Sequence, residues 1–290
     1  MQIRRLGMVT LLALAMGVGG GKWAWADDAA THYNMALQLK QQGDVPGALA
    51  AVNRAIAARP DYAAAYFTQG NLFRQVDKLE EAAQSYRKTL ELSPKMVEAR
   101  GNLGAVYVRL GRLDEGIKEL EQAAAVGDND KTYGALLSLG VAYRQKDQHD
   151  RAVAVLERAV KIRPEDPQGW TNLGVARART PDKQGAVAAY KKAVELDPKR
   201  GEFHFNLGTA YRRLRQTEQA IAAYENAVSL DPNLAGAHYD LGVLYAQERD
   251  NEKALAAFRK YLQVSGKSLP TKDRQNVEER ISGLEGMLKR

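Results

Sequence analysis

The sequence of 290 residues contains no cysteine and only four histidines. The absence of cysteine excludes a disulfide framework, a thiolate-ligated zinc or iron–sulfur centre, a cysteine nucleophile and a lipid anchor on an N-terminal cysteine. Aromatic residues make up only 7% of the chain, but hydrophobic residues make up 45%, which is enough for a folded core. The net charge of +7 is compatible with an acidic partner without identifying one.

The first 26 residues have the pattern of a secretory signal peptide. A basic pair at Arg4–Arg5 precedes an apolar run over 6–18, and Ala24 and Ala26 form an A-x-A cleavage site. The run is short for a membrane span, which needs about 20 apolar residues. We therefore expect export to the periplasm or beyond, with cleavage near Ala26 and no membrane span afterwards. If the segment is not removed, it would anchor the protein in the membrane.

The rest of the chain repeats with a period of 34 residues, which is marked by its prolines. Pro60 and Pro94 have this spacing, as do Pro164, Pro198 and Pro232 in succession. Two extra residues, 131–132, predict a longer loop or a local disturbance of the stacking. Seven predicted repeats result, numbered 1 to 7 in order: 29–62, 63–96, 97–130, 133–166, 167–200, 201–234 and 235–268.

Several columns of these repeats share one residue type, counting positions from the first residue of each repeat. Position 8 is Gly in six of the seven repeats, position 20 is Ala in six, and position 24 is large and apolar or aromatic in all. Positions 4, 7, 8 and 11 follow the spacing of one helix face, and positions 20, 24 and 27 follow that of a second helix. The small residues allow the two helices to approach closely, and proline at position 32 ends the second helix.

These columns resemble the tetratricopeptide repeat (TPR), as found in exported bacterial proteins. The resemblance covers 29–268 and implies an all-α fold, a right-handed α-solenoid or superhelix of seven helix–turn–helix repeats with a concave groove. In the segment 269–290, Val277, Ile281, Leu284 and Leu288 lie on one helical stripe. We predict that this segment is a C-terminal capping helix with a polar outer face.

No pattern for catalysis is present in the sequence. Motifs of nucleotide-binding loops, serine hydrolases and zinc proteases are missing. His32, His204 and His238 share position 4 of their repeats, so we interpret them as packing residues rather than metal ligands. We predict that the protein is not an enzyme, that it needs no cofactor or metal, and that it does not bind nucleic acid.

The TPR resemblance implies that positions 2, 5, 6, 9, 12 and 13 of the first helices line the groove. Three kinds of side chain recur there: an amide that donates and accepts, large rings, and guanidinium groups. They are Asn34, Asn102, Asn172 and Asn206 at position 6; Tyr33, Phe67, Phe205 and Tyr239 at position 5; and Arg74, Arg109, Arg144, Arg179, Arg212 and Arg213 at positions 12 and 13. Alternatively, the asparagines are ordinary repeat residues and the arginines only complement helix dipoles.

We predict a non-enzymatic adaptor that binds an extended, acidic or carboxylate-bearing peptide or protein segment in this groove. One alternative is a scaffold that associates with itself. Another is an accessory assembly subunit of an envelope machine for secretion, pilus formation, polysaccharide export or cytochrome maturation, which rests on family analogy.

Overall fold

The structure, a computed structural model, describes residues 21–266 and 269–289, and it divides the chain into two compact units between Lys95 and Met96. Every regular element in the described residues is an α-helix. The first twenty residues of the predicted signal peptide lie outside the described part, and helix α1 begins at Gly21 within that segment. Side chains are described from residue 28 onward.

The N-terminal unit consists of two helix hairpins, in which α1 packs against α2 and α3 against α4. Its helices are α1 (Gly21–Gln41), α2 (Val45–Ala58), α3 (Ala63–Gln75) and α4 (Leu79–Leu92). The side chain of Gln69 replaces an apolar residue at position 7 and joins a polar chain across three helices. It donates to Asn53 at 2.8 Å and accepts from Ser85 at 2.7 Å, so this departure from the pattern is satisfied.

The C-terminal unit continues the same arrangement with five hairpins and a final helix. Its helices are α5 (Val97–Arg109), α6 (Leu113–Ala124), α7 (Asp130–Gln145), α8 (His149–Ile162), α9 (Pro167–Arg177), α10 (Lys183–Leu196), α11 (Gly201–Arg213), α12 (Thr217–Leu230), α13 (Ala235–Gln247), α14 (Asn251–Ser265) and α15 (Thr271–Leu288). Helix α15 buries Val277 and Leu284 against the preceding hairpin, whereas Leu288 at its end is 43% exposed. Leu288 therefore does not contribute to the predicted apolar stripe.

Within each of repeats 2 to 7, the two helices touch where a glycine at position 8 meets the side chain at position 24. A Cβ added at Gly208 would lie 2.7 Å from the Tyr224 ring, and one at Gly140 would lie 2.5 Å from Leu156. The same relation holds for Gly70 with Tyr86, Gly104 with Leu120, Gly174 with Tyr190, and Gly242 with Phe258. Glycine is required here because a larger side chain would collide with the side chain at position 24.

The turn inside each hairpin depends on a left-handed backbone at position 15. Positive φ angles occur there in six repeats, at Gly43, Asp77, Gly111, Asp147, Arg215 and Arg249. Repeat 5 has Pro181 at this position, and a proline ring restricts φ to about −65°. Helix α9 accordingly ends early, at Arg177, and residues 178–182 form a different turn.

The loops that precede repeats 5, 6 and 7 are held by the residue at position 4. Trp170 Nε1 donates to the carbonyl of Pro164 at 2.8 Å, and His204 and His238 donate through Nε2 to Pro198 and Pro232 at 2.9 and 3.0 Å. These contacts explain why an imidazole or an indole occupies position 4 in these three repeats. The two histidines have a structural role in the described residues.

The two extra residues before repeat 4 lengthen a helix instead of a loop. Helix α7 has 16 residues, whereas α5, α11 and α13 have 13. A capping box starts it: the Asn129 side chain accepts from the Lys131 N–H, and Thr132 Oγ1 accepts from the Asn129 N–H.

Two glycines in α7 test the packing argument within one helix. Gly140→Ala forces a methyl group against Leu156, so we expect it to destabilise the protein by about 1–3 kcal/mol. Gly134→Ala points into open space and improves helix propensity, so we expect stabilisation by about 0.5–1 kcal/mol. Thermal melting of the two variants measures both effects, and equal Tm values would contradict the role assigned to Gly140.

Candidate functional site

In the N-terminal unit, the predicted groove residues differ in how far they are exposed and in what they contact. Asn34 and Arg74 are exposed on α1 and α3. Tyr33 stacks on Tyr62 with ring centroids 4.9 Å apart, and its hydroxyl is 3.1 Å from Thr68 Oγ1. Phe67 packs 6.0 Å from the ring of Tyr86. Both rings therefore belong partly to the repeat core, with the remainder of their surface exposed.

The position-5 rings of the C-terminal unit also pack on their own repeats. The centroids of Phe205 and Tyr224 are 5.7 Å apart, and Tyr239 lies 5.9 Å from Phe258 and 5.2 Å from Tyr261. All of the position-5 rings remain half-buried. They stabilise the hairpins while leaving an edge available for a partner.

The column at position 6 continues as a row of half-buried polar groups. Asn102, Asn172 and Asn206 are followed by Asp240, whose carboxylate lies 3.8 Å from Arg212. Burial raises the pKa of Asp240, and Arg212 opposes that rise. Arg212 therefore has Asp240 as an acidic partner, whereas Arg213, the next residue, has no acidic partner among the described residues.

A cavity of about 170 Å³ opens between α9, α10 and α11. It brings together three of the predicted residues, Arg179, Asn206 and Arg213. The full lining is Val175, Ala178, Arg179, Tyr190, Asn206, Thr209, Ala210 and Arg213. None of these lining residues is acidic, so the cavity presents two guanidinium groups, an amide and two hydroxyls.

Arg179 reaches this cavity because of the turn imposed by Pro181. Helix α9 stops at Arg177, so Arg179 lies in the turn beyond the helix instead of in its last turn. The carbonyl of Ala178 is exposed by the same early ending. It accepts from Arg213 Nη1 and from Lys183 Nζ, both at 2.9 Å. The turn therefore places Arg179 at the cavity, and its Ala178 carbonyl holds Arg213 by a hydrogen bond.

A third arginine lies beside the other two. Arg144, in the last turn of α7, interacts electrostatically with Tyr190 and Arg179. Burial lowers the pKa of Arg144, and the positive charge of Arg179 lowers it further. No carboxylate of the described residues forms an ion pair with Arg144, Arg179 or Arg213.

The predicted row of arginines is therefore uneven. Arg144, Arg179 and Arg213 gather around Tyr190, whereas Arg212 pairs with Asp240 and Arg109 is exposed at the end of α5. Two features that sequence reasoning missed explain the cluster. One is Pro181, which departs from the residues of position 15. The other is the combination of Val175 at position 9 with a tyrosine at position 24, since the other valines of that column, Val141 and Val243, share their repeats with Leu156 and Phe258, which have no hydroxyl.

No group of three or more histidine, aspartate or glutamate side chains suitable for a metal ion occurs in the part of the chain that the structure describes. Over the same residues, no helix combines the length and the apolar character that crossing a bilayer requires.

Comparison with protein families gives a match over more than half of the chain. A family profile described as tetratricopeptide repeat matches residues 33–97, 137–200 and 205–269, and a second profile with the same description matches 96–165.

Individual relatives share only segments with this chain. It is 28% identical over 115 residues to anaphase-promoting complex subunit 3 of Schizosaccharomyces pombe, covering 40% of this chain and 17% of that protein. It is 30% identical over 121 residues to the cytochrome c-type biogenesis protein CycH of Pseudomonas aeruginosa, covering 41% and 30%. Across the curated relatives, the aligned segment spans 11% to 32% of their length.

Among solved structures, YrrB, described as a TPR protein with an unusual peptide-binding site, superimposes with a TM-score of 0.54. The identity is 25%, and the match covers 68% of this chain and 97% of YrrB.

The buried carboxylate at position 6 makes a pH-dependent prediction. Because the pKa of Asp240 is raised on folding, the folded protein holds a proton over a range above pH about 3.9 in which the unfolded chain has lost it. Stability therefore falls as pH rises through that range. We expect Asp240→Asn, which restores the common residue of the column, to raise the Tm near pH 7.

The same two proteins are expected to melt alike at a pH below the ordinary aspartate pKa, where the wild-type carboxyl is protonated in both states. A lower Tm for Asp240→Asn near pH 7 would instead mean that the ion pair with Arg212 outweighs the burial of Asp240.

Proposed function

This chain belongs to the tetratricopeptide-repeat family, whose members typically mediate protein–protein interactions, and on that premise we propose that it is a non-enzymatic adaptor. Its ligand is an extended segment of a partner protein that carries acidic side chains. In the C-terminal unit this segment lies along the first helices of the repeats, where Asn102, Asn172 and Asn206 offer amides to its backbone.

The observation that carries this proposal is the cavity beside Tyr190. Arg179, Asn206 and Arg213 line it, and no acidic residue does. Elsewhere in the same unit, arginines are matched with carboxylates, as in Arg158 with Asp128 at 2.7 Å and Arg163 with Asp130 at 2.9 Å. Guanidinium groups that lack an acidic partner within their own chain are suited to binding carboxylates of another chain.

The likeness to YrrB supports a peptide as the class of ligand. YrrB is described as having a peptide-binding site, and almost its whole length aligns with this chain. The half-buried rings of Phe205 and Tyr239 supply additional apolar surface beside the asparagine row. Such rings contribute contact area at small entropic cost.

Removing the three arginines tests the proposed adaptor function. The probe is a fluorescently labelled peptide of alternating glutamate and serine, and its binding is followed by anisotropy at several salt concentrations. We expect the combined Arg144→Gln, Arg179→Gln and Arg213→Gln variant to bind at least about tenfold more weakly. Its affinity should also depend less on salt, because fewer charges take part.

A matched variant separates a specific site from net charge. Arg151→Gln, Arg158→Gln and Arg163→Gln together remove three positive charges from α8 and the loop that follows it, where each arginine has a carboxylate partner. This variant should retain peptide binding close to that of the wild type. If the two triple variants weaken binding equally, or if the wild type binds a glutamine–serine peptide as well, the proposal is wrong.

A second candidate is an accessory subunit of an envelope assembly machine. The 30% identity with CycH, a cytochrome c-type biogenesis protein, favours cytochrome maturation among such machines. A self-assembling scaffold is the third candidate. Molar mass measured across a range of concentrations separates the scaffold from an adaptor, since only the scaffold increases in mass.

We also propose that the chain is exported and that the predicted signal peptide is removed after Ala26. The basic pair and the short apolar run support this. Intact-mass measurement of the protein recovered from a bacterial periplasmic fraction should then give a chain that begins at Asp27. Recovery of the full-length chain from the membrane fraction would indicate an uncleaved anchor instead.

A further inference from the structure

The hydroxyl of Tyr190 differs from those of the tyrosines that occupy the same position in other repeats. Tyr86 donates to Asn71 Oδ1 at 2.8 Å, and Tyr224 donates to Thr209 Oγ1 at 3.1 Å. Those partners stand at position 9, where repeat 5 has Val175, which cannot accept a hydrogen bond. Tyr190 is only 5% exposed, and its hydroxyl has no hydrogen-bond partner in the described residues.

Three arginines from three different elements are associated with this tyrosine, and two of them, Arg179 and Arg213, line the same cavity. Arg144 comes from the end of α7, Arg179 from the turn after α9, and Arg213 from the end of α11. All three interact electrostatically with Tyr190. Burial raises the pKa of Tyr190 to about 12, so its hydroxyl keeps its proton at neutral pH and can donate it in a hydrogen bond.

The cluster is also unbalanced in charge. Two of the three arginines have no acidic partner in the described residues: Arg213 donates to the carbonyl of Ala178, and Arg179 lines a cavity to which no acidic residue contributes. By contrast, Arg177, two residues away from Arg179, pairs with Glu157 at 2.7 Å and Asp182 at 3.5 Å. Like charges that share one site destabilise each other, and an anion between them removes that repulsion.

We propose that Arg144, Arg179, Arg213 and the Tyr190 hydroxyl bind a compact tetrahedral oxyanion with two negative charges, of the phosphate type. The inference deepens the proposed adaptor function and uses the same cavity. The anion is either free phosphate or a phosphoryl group on the partner segment. Asn206 and Thr209, which also line the cavity, supply further donors to its oxygens.

The number of donors and the different elements that carry them favour a tetrahedral anion over a carboxylate. A carboxylate has two oxygens in one plane, which suits a single guanidinium fork. A tetrahedral oxyanion directs its oxygens to several sides, so it can accept from side chains that come from α7, the α9 turn, α10 and α11 together. An anion with two negative charges also balances three guanidinium groups better than an anion with one negative charge.

The test uses inorganic phosphate as the probe and the full-length protein. Titration calorimetry and thermal melting compare sodium phosphate with sodium chloride at equal ionic strength, which removes general screening effects. We expect phosphate to bind and to raise the Tm. Arg179→Gln and Arg213→Gln should each weaken phosphate binding at least about tenfold, because each removes a charge-assisted donor.

Two tyrosine variants isolate the hydroxyl from the packing of its ring. Tyr190→Phe keeps the ring against Gly174 but removes the donor, so phosphate binding should weaken several-fold. Tyr86→Phe makes the same change in repeat 2, where the hydroxyl donates to Asn71, and should leave phosphate binding unchanged. Arg215→Gln, an exposed arginine beyond the end of α11, controls for the loss of one positive charge.

Several results would overturn the inference: no difference between phosphate and chloride, equal binding by acetate, or phosphate binding that survives in Arg179→Gln and Arg213→Gln. A phosphoserine peptide that binds more tightly than both its glutamate counterpart and free phosphate identifies the partner segment as the source of the anion. Tighter binding of free phosphate identifies the free ion. If the glutamate–serine peptide binds but phosphate does not, this inference fails while the adaptor function stands.

Discussion

The close contact between a glycine at position 8 and a large side chain at position 24 is the constraint on which each repeat depends. It sets the distance between the two helices, and it directs the side chain at position 24 toward the first helix. Where that side chain is tyrosine, its hydroxyl emerges beside position 9. The packing contact therefore also places the tyrosine hydroxyl at the surface that the first helices form.

The role of the tyrosine hydroxyl at position 24 depends on the residue at position 9. Asn71 and Thr209 accept from it in repeats 2 and 6, so there the tyrosine contributes only to stability. Val175 leaves it without a partner in repeat 5, which also has a proline in place of the left-handed residue of the turn. A tyrosine without a partner at position 9 and an altered turn thus coincide in one hairpin, and both change the same cavity. A repeat protein can acquire a site in this way without any change to its core.

The fold was predictable because it depends on columns that every repeat shares. Period, glycine, alanine and proline positions suffice for the helix hairpins, since a packing contact that recurs six times leaves a strong pattern. The cluster around Tyr190 was predictable only in part. The columns identified Arg144, Arg179 and Arg213, but they treated Arg212 as equivalent, although Asp240 neutralises it. Which arginines meet depends on where α9 ends, and that is a property of one turn.

The arrangement of charge carries the argument from fold to function. Within the C-terminal unit, the three arginines on the second helices have carboxylate partners: Arg151 with Glu121, Arg158 with Asp128 and Arg259 with Glu285. Such pairs are nearly neutral for stability at an exposed surface, but they keep the local potential low. Where pairing is this common, three arginines around the Tyr190 hydroxyl without an acid are a cost to the folded state. An anion that binds only the folded protein offsets this cost and couples ligand binding to the stability of repeats 4 to 6.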